Sequence, residues 1–172
     1  MSSIRVKKIG ITKLDTDAIV NAANEGLREG DGVCGAIFRE AGSDKLTKAC
    51  NDIGGCKTGY AVITPGFNLS AKYMIHAVGP RWIDGNHDEP KLLYSAYKHS
   101  LILAKEHGLN SIGFPLISAG IFGYPLDEAW IQAIQACNDF IQENPDYDIK
   151  IIFAVLDEKI LAVGEKTIKD IV

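Results

Sequence analysis

Short apolar runs and longer amphipathic stretches alternate along the whole chain. Ser3 to Ile11, with Ile4, Val6 and Ile9 apolar, reads as an edge strand. Ala18-Ile19-Val20, Ala61-Val62-Ile63, Tyr73 to Val78, Ile112 to Leu116 and Ile149 to Leu156 read as buried strands, each bounded by Gly, Pro, Asn or Asp. Between them the apolar spacing changes from runs to a helical repeat. Leu93, Tyr97, Ser100 and Ala104, with Leu101 on the same face, predict a helix that stops near Gly108. Leu126, Trp130, Ala133, Ile134, Cys137, Phe140 and Ile141 form a second stripe ended by Asn144-Pro145, and Trp130 and Phe140 are core positions within it. Val33 to Ala41 and Asp44 to Ile53 are shorter helix candidates. Strands alternating with helices imply a largely parallel sheet covered on both faces, a three-layer α/β/α domain.

With 172 residues and no repeat, low-complexity tract or linker, the chain is expected to form one domain over 1–172. A net charge of −4 and the lack of a basic cluster argue against nucleic acid as a partner. No apolar stretch is long enough for a bilayer, and the first residues lack the apolar core of a signal peptide. The expected setting is therefore cytoplasmic, without membrane contact. Cys34, Cys50, Cys56 and Cys137 include no CxxC pair and no histidine at zinc-site spacing, so four reduced thiols and no metal are expected. Asn68-Leu69-Ser70 fits a glycosylation acceptor, a reading that would require secretion.

Two glycine-rich loops carry most of the chemical information. The first runs from Asn21-Ala22-Ala23-Asn24 through Gly26 and Gly30-Asp31-Gly32 into the helix Val33-Cys34-Gly35-Ala36-Ile37. The second, Ser118-Ala119-Gly120-Ile121-Phe122-Gly123-Tyr124-Pro125, also leaves a strand and enters a helix. In an open parallel sheet both lie at the carboxyl edge, where ligands bind. Glycines there admit backbone N–H groups to an anion, and the helix dipole adds positive potential. Either loop alone is equally well explained by tight turns. Both together, with Asn24 and Phe122 beside them, suit a diphosphate. Neither matches GxxxxGK(S/T) or the GxGxxG spacing, which argues against an ordinary P-loop NTPase or a Rossmann dehydrogenase.

Asp17-Ala18-Ile19-Val20-Asn21-Ala22-Ala23-Asn24, Gly30-Asp31-Gly32-Val33-Cys34-Gly35-Ala36-Ile37, Tyr73-Met74-Ile75-His76-Ala77-Val78-Gly79-Pro80 and the second loop together resemble the macro domain family, across essentially the whole chain. The likeness is closest to MacroD-type and some viral members. It implies a mixed, mostly parallel sheet of about six strands between helices. It also implies binding of ADP-ribose and ADP-ribosylated proteins by a monomer without a cofactor. The implied activity is hydrolysis of mono-ADP-ribose from acidic side chains, or deacetylation of O-acetyl-ADP-ribose. By motif position, Gly32, Val33, Cys34, Gly35 and Ala36 hold one face of the diphosphate and Ser118, Ala119, Gly120, Ile121 and Phe122 the other. Asn24 bonds the distal ribose and orients the water, and Phe122 packs on that ribose. Asn21 counts with the ligand-binding residues, and Ile11, Leu156 and Asp157 border the adenine.

Two positions depart from the family. Gly10 stands where an aspartate usually accepts from the adenine amino group, a loss worth roughly 1.5–3 kcal/mol unless a residue such as Asp157 replaces it. Cys34 stands where the hydrolases commonly carry an aspartate that positions or activates water. A thiol near pKa 8.5 is a poor substitute base. The viral-like version leaves room for a substrate phosphate oxygen to orient the water, or for Asp31 to supply the carboxylate; Asp31 equally suits a solvated turn. A thiol nucleophile at Cys34 with His76 as its base is a further alternative, although nothing in the sequence brings them together. His76 otherwise reads as a structural strand histidine and His87 as a surface residue. The two readings carried forward are a hydrolase, with Asn24, Asp31 and Cys34 at its centre, and a non-catalytic ADP-ribose reader.

Overall fold

Six strands pair in the order β1-β6-β5-β2-β4-β3: β1 Ser3–Lys8, β2 Ala18–Ala22, β3 Ala61–Pro65, β4 Tyr73–Ala77, β5 Ser111–Phe114 and β6 Lys150–Val155. The computed structural model describes residues 1–30 and 32–172, with Val33 through its backbone alone. All neighbours are parallel except β3, which runs antiparallel to β4 and forms one edge of the sheet. The sheet is thus mixed, as the family resemblance implies, and five of its six strands keep the parallel direction read from the pattern.

Side chains alternate across the sheet and meet a helical layer on each face. Ala18, Val20, Ile75, Phe114, Ile151 and Phe153 pack in one cluster with α3 Glu89–Glu106, α4 Leu126–Glu143 and α5 Glu158–Ile171. Ile19, Met74 and Ala154 face the other way, onto α1 Gly32–Ala41 and α2 Ser43–Ile53. This confirms the three layers. Trp130 and Phe140 lie in the core as their stripe requires, and Phe153 stacks on Phe114 at 5.4 Å between ring centres.

Two elements depart from the sequence reading. Ile9 to Ile11 leave β1 and enter a single 3₁₀ turn, Ile11–Lys13. Helix α5 went unread, although Asp157 caps it by accepting from Lys159 N–H (2.8 Å) and Ile160 N–H (3.0 Å). Its apolar residues are half-buried, so its stripe is weak. It docks on α4 through Gly164, where a Cβ would lie 2.6 Å from the Trp130 ring.

The segment between β4 and α3 is held by one carboxylate. Glu89, 1% exposed, accepts at Oε2 from the N–H groups of Ile83, Asp84 and Gly85 and at Oε1 from that of His87. Asp84, His87 and Glu89 bring ligand-type atoms within 4.8 Å of one another. Both Glu89 oxygens are already engaged by backbone N–H groups, so the grouping acts as a loop clasp. His87 is exposed, as read, and pairs with Asp84 at 2.9 Å. Burial pushes the Glu89 carboxyl up, but the N–H groups of Gly85, Ile83 and His87 outweigh it and hold the pKa at about 2. A depressed carboxyl pKa stabilises the fold above the ordinary glutamate value, and that contribution is lost as pH falls through about 2. Melting temperatures followed from pH 5 downwards should therefore drop more steeply in the wild type than in Glu89→Gln. Parallel profiles would remove Glu89 from the acid response.

Candidate functional site

Strand β2 lies between β4 and β5, both parallel to it, so the segments leaving all three emerge at one edge. They enclose a cleft of about 490 Å³, within the usual range for small-molecule sites.

The first wall is the loop from β2 to α1. Asn24 clamps it: its Oδ1 accepts from Arg28 N–H and its Nδ2 donates to the Arg28 carbonyl, both at 3.0 Å. Each polar end keeps a second valence, a lone pair on Oδ1 and a proton on Nδ2. Glu25 ties the loop outward, accepting at Oε2 from Thr58 N–H (3.1 Å) and Thr58 Oγ1 (3.2 Å). The loop then folds back on α1, because a Cβ at Gly35 would stand 2.4 Å from the Gly30 carbonyl oxygen. Only glycine allows that contact, which brings Gly30 and the first turn of α1 to the cleft.

The second wall is the loop from β5 to α4. The Tyr97 hydroxyl on α3 holds its start, accepting from Ile117 N–H at 2.8 Å and donating to the Pro115 carbonyl at 3.3 Å. Its end closes through Gly123 N–H to Gly120 O (3.0 Å) and Tyr124 N–H to Ser118 O (2.9 Å). Among the described residues, the N–H groups of Ser118, Gly120, Ile121 and Phe122 have no acceptor. Ser118 has the left-handed φ of 68°, costly for a non-glycine residue, and its Oγ is buried without a partner. A wall of unpaired donors can meet the acceptors of a ligand.

The third wall, the segment after β4, was not read as site-forming from the residues themselves. Gly79 and Arg81 line the cleft, and Arg81 Cζ lies 4.8 Å from the centre of the Phe122 ring. Trp82 N–H donates to the Phe122 carbonyl at 2.8 Å, joining this wall to the second. The signal available was position: Gly79-Pro80-Arg81 follows a strand at the same carboxyl edge.

Of the candidates read from sequence, Asn24, Gly32, Cys34, Ser118, Gly120, Ile121 and Phe122 line the cleft. Gly35 and Ala36 follow within α1, and Ala119 sits in the second loop without lining the cleft. Val33 belongs to the backbone of α1's first turn. Asp31 lies outside the described residues. Ile11, Leu156 and Asp157 do not line the cleft but share its sheet edge, where Ile9 N–H reaches Val155 O at 3.0 Å. Asp157 Oδ1 is occupied by the α5 cap, which limits its use as a substitute for the missing aspartate. A Cβ at Gly10 would meet nothing closer than Lys13 Cγ at 3.9 Å, so the gap there is chemical and not steric.

Asn21 is fully buried and does not line the cleft. Its Nδ2 donates to Cys34 Sγ at 3.5 Å and lies 3.3 Å from His76 Nδ1. His76 Nε2 faces Thr64 Oγ1 at 3.0 Å, and that hydroxyl donates to the Pro65 carbonyl. The network therefore assigns the proton to Nε2 and leaves Nδ1 as Asn21's acceptor. Burial lowers the His76 pKa to about 4, which keeps the ring neutral. The Asn21 amide thus stands between Cys34 and His76, and the imidazole makes no bond to the thiol that a thiol–base pair would need. Cys34 Sγ instead faces the Arg28 carbonyl at 3.7 Å.

A second hollow, about 470 Å³, lies between α3 and α4. Four of its polar groups are paired, Lys98 with Glu143 and Lys105 with Asn144.

The Macro domain family model matches residues 20–133. A macro domain-containing protein of Chlorobaculum tepidum is 47% identical over 165 residues, 96% of this chain and 95% of that one. The O-acetyl-ADP-ribose deacetylase of Salmonella typhimurium is 49% identical over 144 residues, 81% of this chain and 80% of that one. The Oceanobacillus iheyensis macrodomain solved with ADP superposes with a TM-score of 0.92 at 35% identity, covering 98% of this chain and 91% of that one. The chain belongs to the macro domain family.

The fit between the second and third walls is testable. A Cβ at Gly79 would lie 2.2 Å from Ser118 Oγ and 2.5 Å from Ile117 Cγ2, whereas one at Gly120 meets nothing within 4 Å. Gly79→Ala should lose about 1–3 kcal/mol in urea unfolding, and Gly120→Ala should be nearly neutral. Equal effects would contradict the close approach.

Proposed function

We propose that this chain binds ADP-ribose and either releases it from acidic side chains of mono-ADP-ribosylated proteins, hydrolyses O-acetyl-ADP-ribose to ADP-ribose and acetate, or does both. The observation that carries the reading is the row of unpaired N–H groups at Ser118, Gly120, Ile121 and Phe122, opposite the first turn of α1, with Asn24 lining the same cleft. Donors on two sides suit a diphosphate. The naming of the Salmonella relative as O-acetyl-ADP-ribose deacetylase supports the reaction class. The Oceanobacillus macrodomain was solved with ADP, which is ADP-ribose without its distal ribose.

In this reading, the first turn of α1 and the Ser118–Phe122 loop grip the diphosphate. The Phe122 ring packs on the distal ribose. Asn24, rigid through its two bonds to Arg28, presents its remaining lone pair and proton to that ribose and to water. With a protein substrate, bond breaking at the anomeric carbon builds positive charge on the sugar, which the neighbouring phosphate stabilises while one of its oxygens orients the water. Cys34 is not the base: its sulfur accepts from Asn21 and faces a carbonyl. The protein acts as a cytoplasmic monomer, with ADP-ribosylated proteins as its partners.

The engaged thiol also favours the second reading, a binder that cleaves nothing, because no carboxylate among the described residues takes its place in the cleft. One comparison separates them. With a peptide mono-ADP-ribosylated on Asp or Glu, the hydrolase should release ADP-ribose, and Asn24→Ala should cut turnover by about 100-fold or more while calorimetry shows ADP-ribose still bound. Unchanged turnover would remove Asn24 from the mechanism. Absence of release by a folded, ADP-ribose-binding wild type would leave the reader.

A further inference from the structure

We propose that Arg81 is a catalytic residue that receives the carboxylate leaving group when an ADP-ribosyl ester is cleaved in this cleft. The inference rests on the hydrolase reading above and goes beyond it in assigning the leaving-group side of the reaction.

Arg81 brings a guanidinium to the cleft lining, and among the described residues no carboxylate forms an ion pair with it. Its backbone is fixed from both sides. Trp82 N–H is bonded to the Phe122 carbonyl, and the residues that follow are gathered by the Glu89 clasp. The side chain lies over the Phe122 ring, with Cζ 4.8 Å from its centre. A guanidinium held by an aromatic face keeps its N–H donors available at the edge and matches a carboxylate with two of them. If Phe122 packs on the distal ribose, this cation stands beside the bond that breaks. The first and second walls supply amide, hydroxyl and thiol groups but no side-chain cation among the described cleft residues, so charge appearing on a departing carboxylate has one fixed counter-charge.

The step balances without any co-reactant other than water. The water oxygen forms a bond to the anomeric carbon, and the bond from that carbon to the acyl oxygen breaks. Its electron pair leaves on the carboxylate, where Arg81 meets the new negative charge, and the water proton passes to solvent. Because the esterified acid is neutral before this step, the interaction strengthens in the transition state and acts on turnover more than on binding.

The test uses the intact protein with a peptide mono-ADP-ribosylated on glutamate, reading kcat and KM, alongside calorimetry with ADP-ribose. Arg81 is exposed, so Arg81→Met and Arg81→Lys should fold, as thermal melts would verify. Arg81→Met should lower kcat about 10- to 100-fold with KM and the ADP-ribose Kd little changed. Arg81→Lys, which keeps the charge without the planar fork, should recover part of that loss. A purely structural prop for Phe122 would show instead as a lower melting temperature or a weaker ADP-ribose Kd in Arg81→Met, which this proposal does not expect. Unchanged kcat in Arg81→Met, a loss confined to binding, or a lysine variant no better than methionine would each overturn the proposal in an active wild type. A wild type that binds ADP-ribose but releases nothing would overturn the hydrolase reading itself, and this proposal with it.

Discussion

The parallel pairing of β2 between β4 and β5 is the constraint on which the site depends. Register places Ala22 opposite Ala77 and Ala18 opposite Ile112, so three chain segments turn away from the sheet side by side. Parallel strands need long crossovers, and those crossovers form the two helical layers. The architecture that buries the sheet on both faces therefore also gathers the three walls of the cleft. Antiparallel β3 closes the edge beyond β4 and lies outside this arrangement.

What converts a sheet edge into a binding cleft is backbone approach. Gly35 lets the Gly30 carbonyl rest on α1, and Gly79 lets the third wall meet Ser118. Ser118, at its left-handed φ, holds a buried unpaired hydroxyl, and beside it the N–H groups of Gly120 and Ile121 belong to solvent-exposed residues. The buried hydroxyl is costly to leave unpaired, and a diphosphate would satisfy it together with the open N–H groups. Behind this surface, His76, Thr64 and Asn21 form a neutral hydrogen-bonded support for Cys34. The clasp at Glu89 serves the third wall in a comparable way.

The alternation of strands and helices was legible because the strands are short apolar runs and α3 and α4 carry full buried stripes. Helix α5 was not, because it covers the sheet with a half-buried face, and the direction of β3 leaves no trace in its own residues. The two glycine loops were legible through composition and their place after strands. Arg81 was not singled out, since one arginine after a strand says nothing until the fold sets it over Phe122. The Asn21–His76 contact joins residues 55 apart in sequence, and only the register of β2 against β4 makes them neighbours. Cys34 and His76 illustrate the same limit: they approach, but the Asn21 amide separates them.

The central claim is that the first turn of α1 and the Ser118–Phe122 loop together hold a diphosphate. Titrating ADP-ribose into the isotopically labelled protein and following backbone amide resonances tests it most directly. The account predicts saturable shifts concentrated at Gly32 to Ala36 and at Ser118 to Phe122, with the α3–α4 hollow unmoved. An unchanged spectrum, or shifts gathered around Lys98 and Phe140, would contradict it.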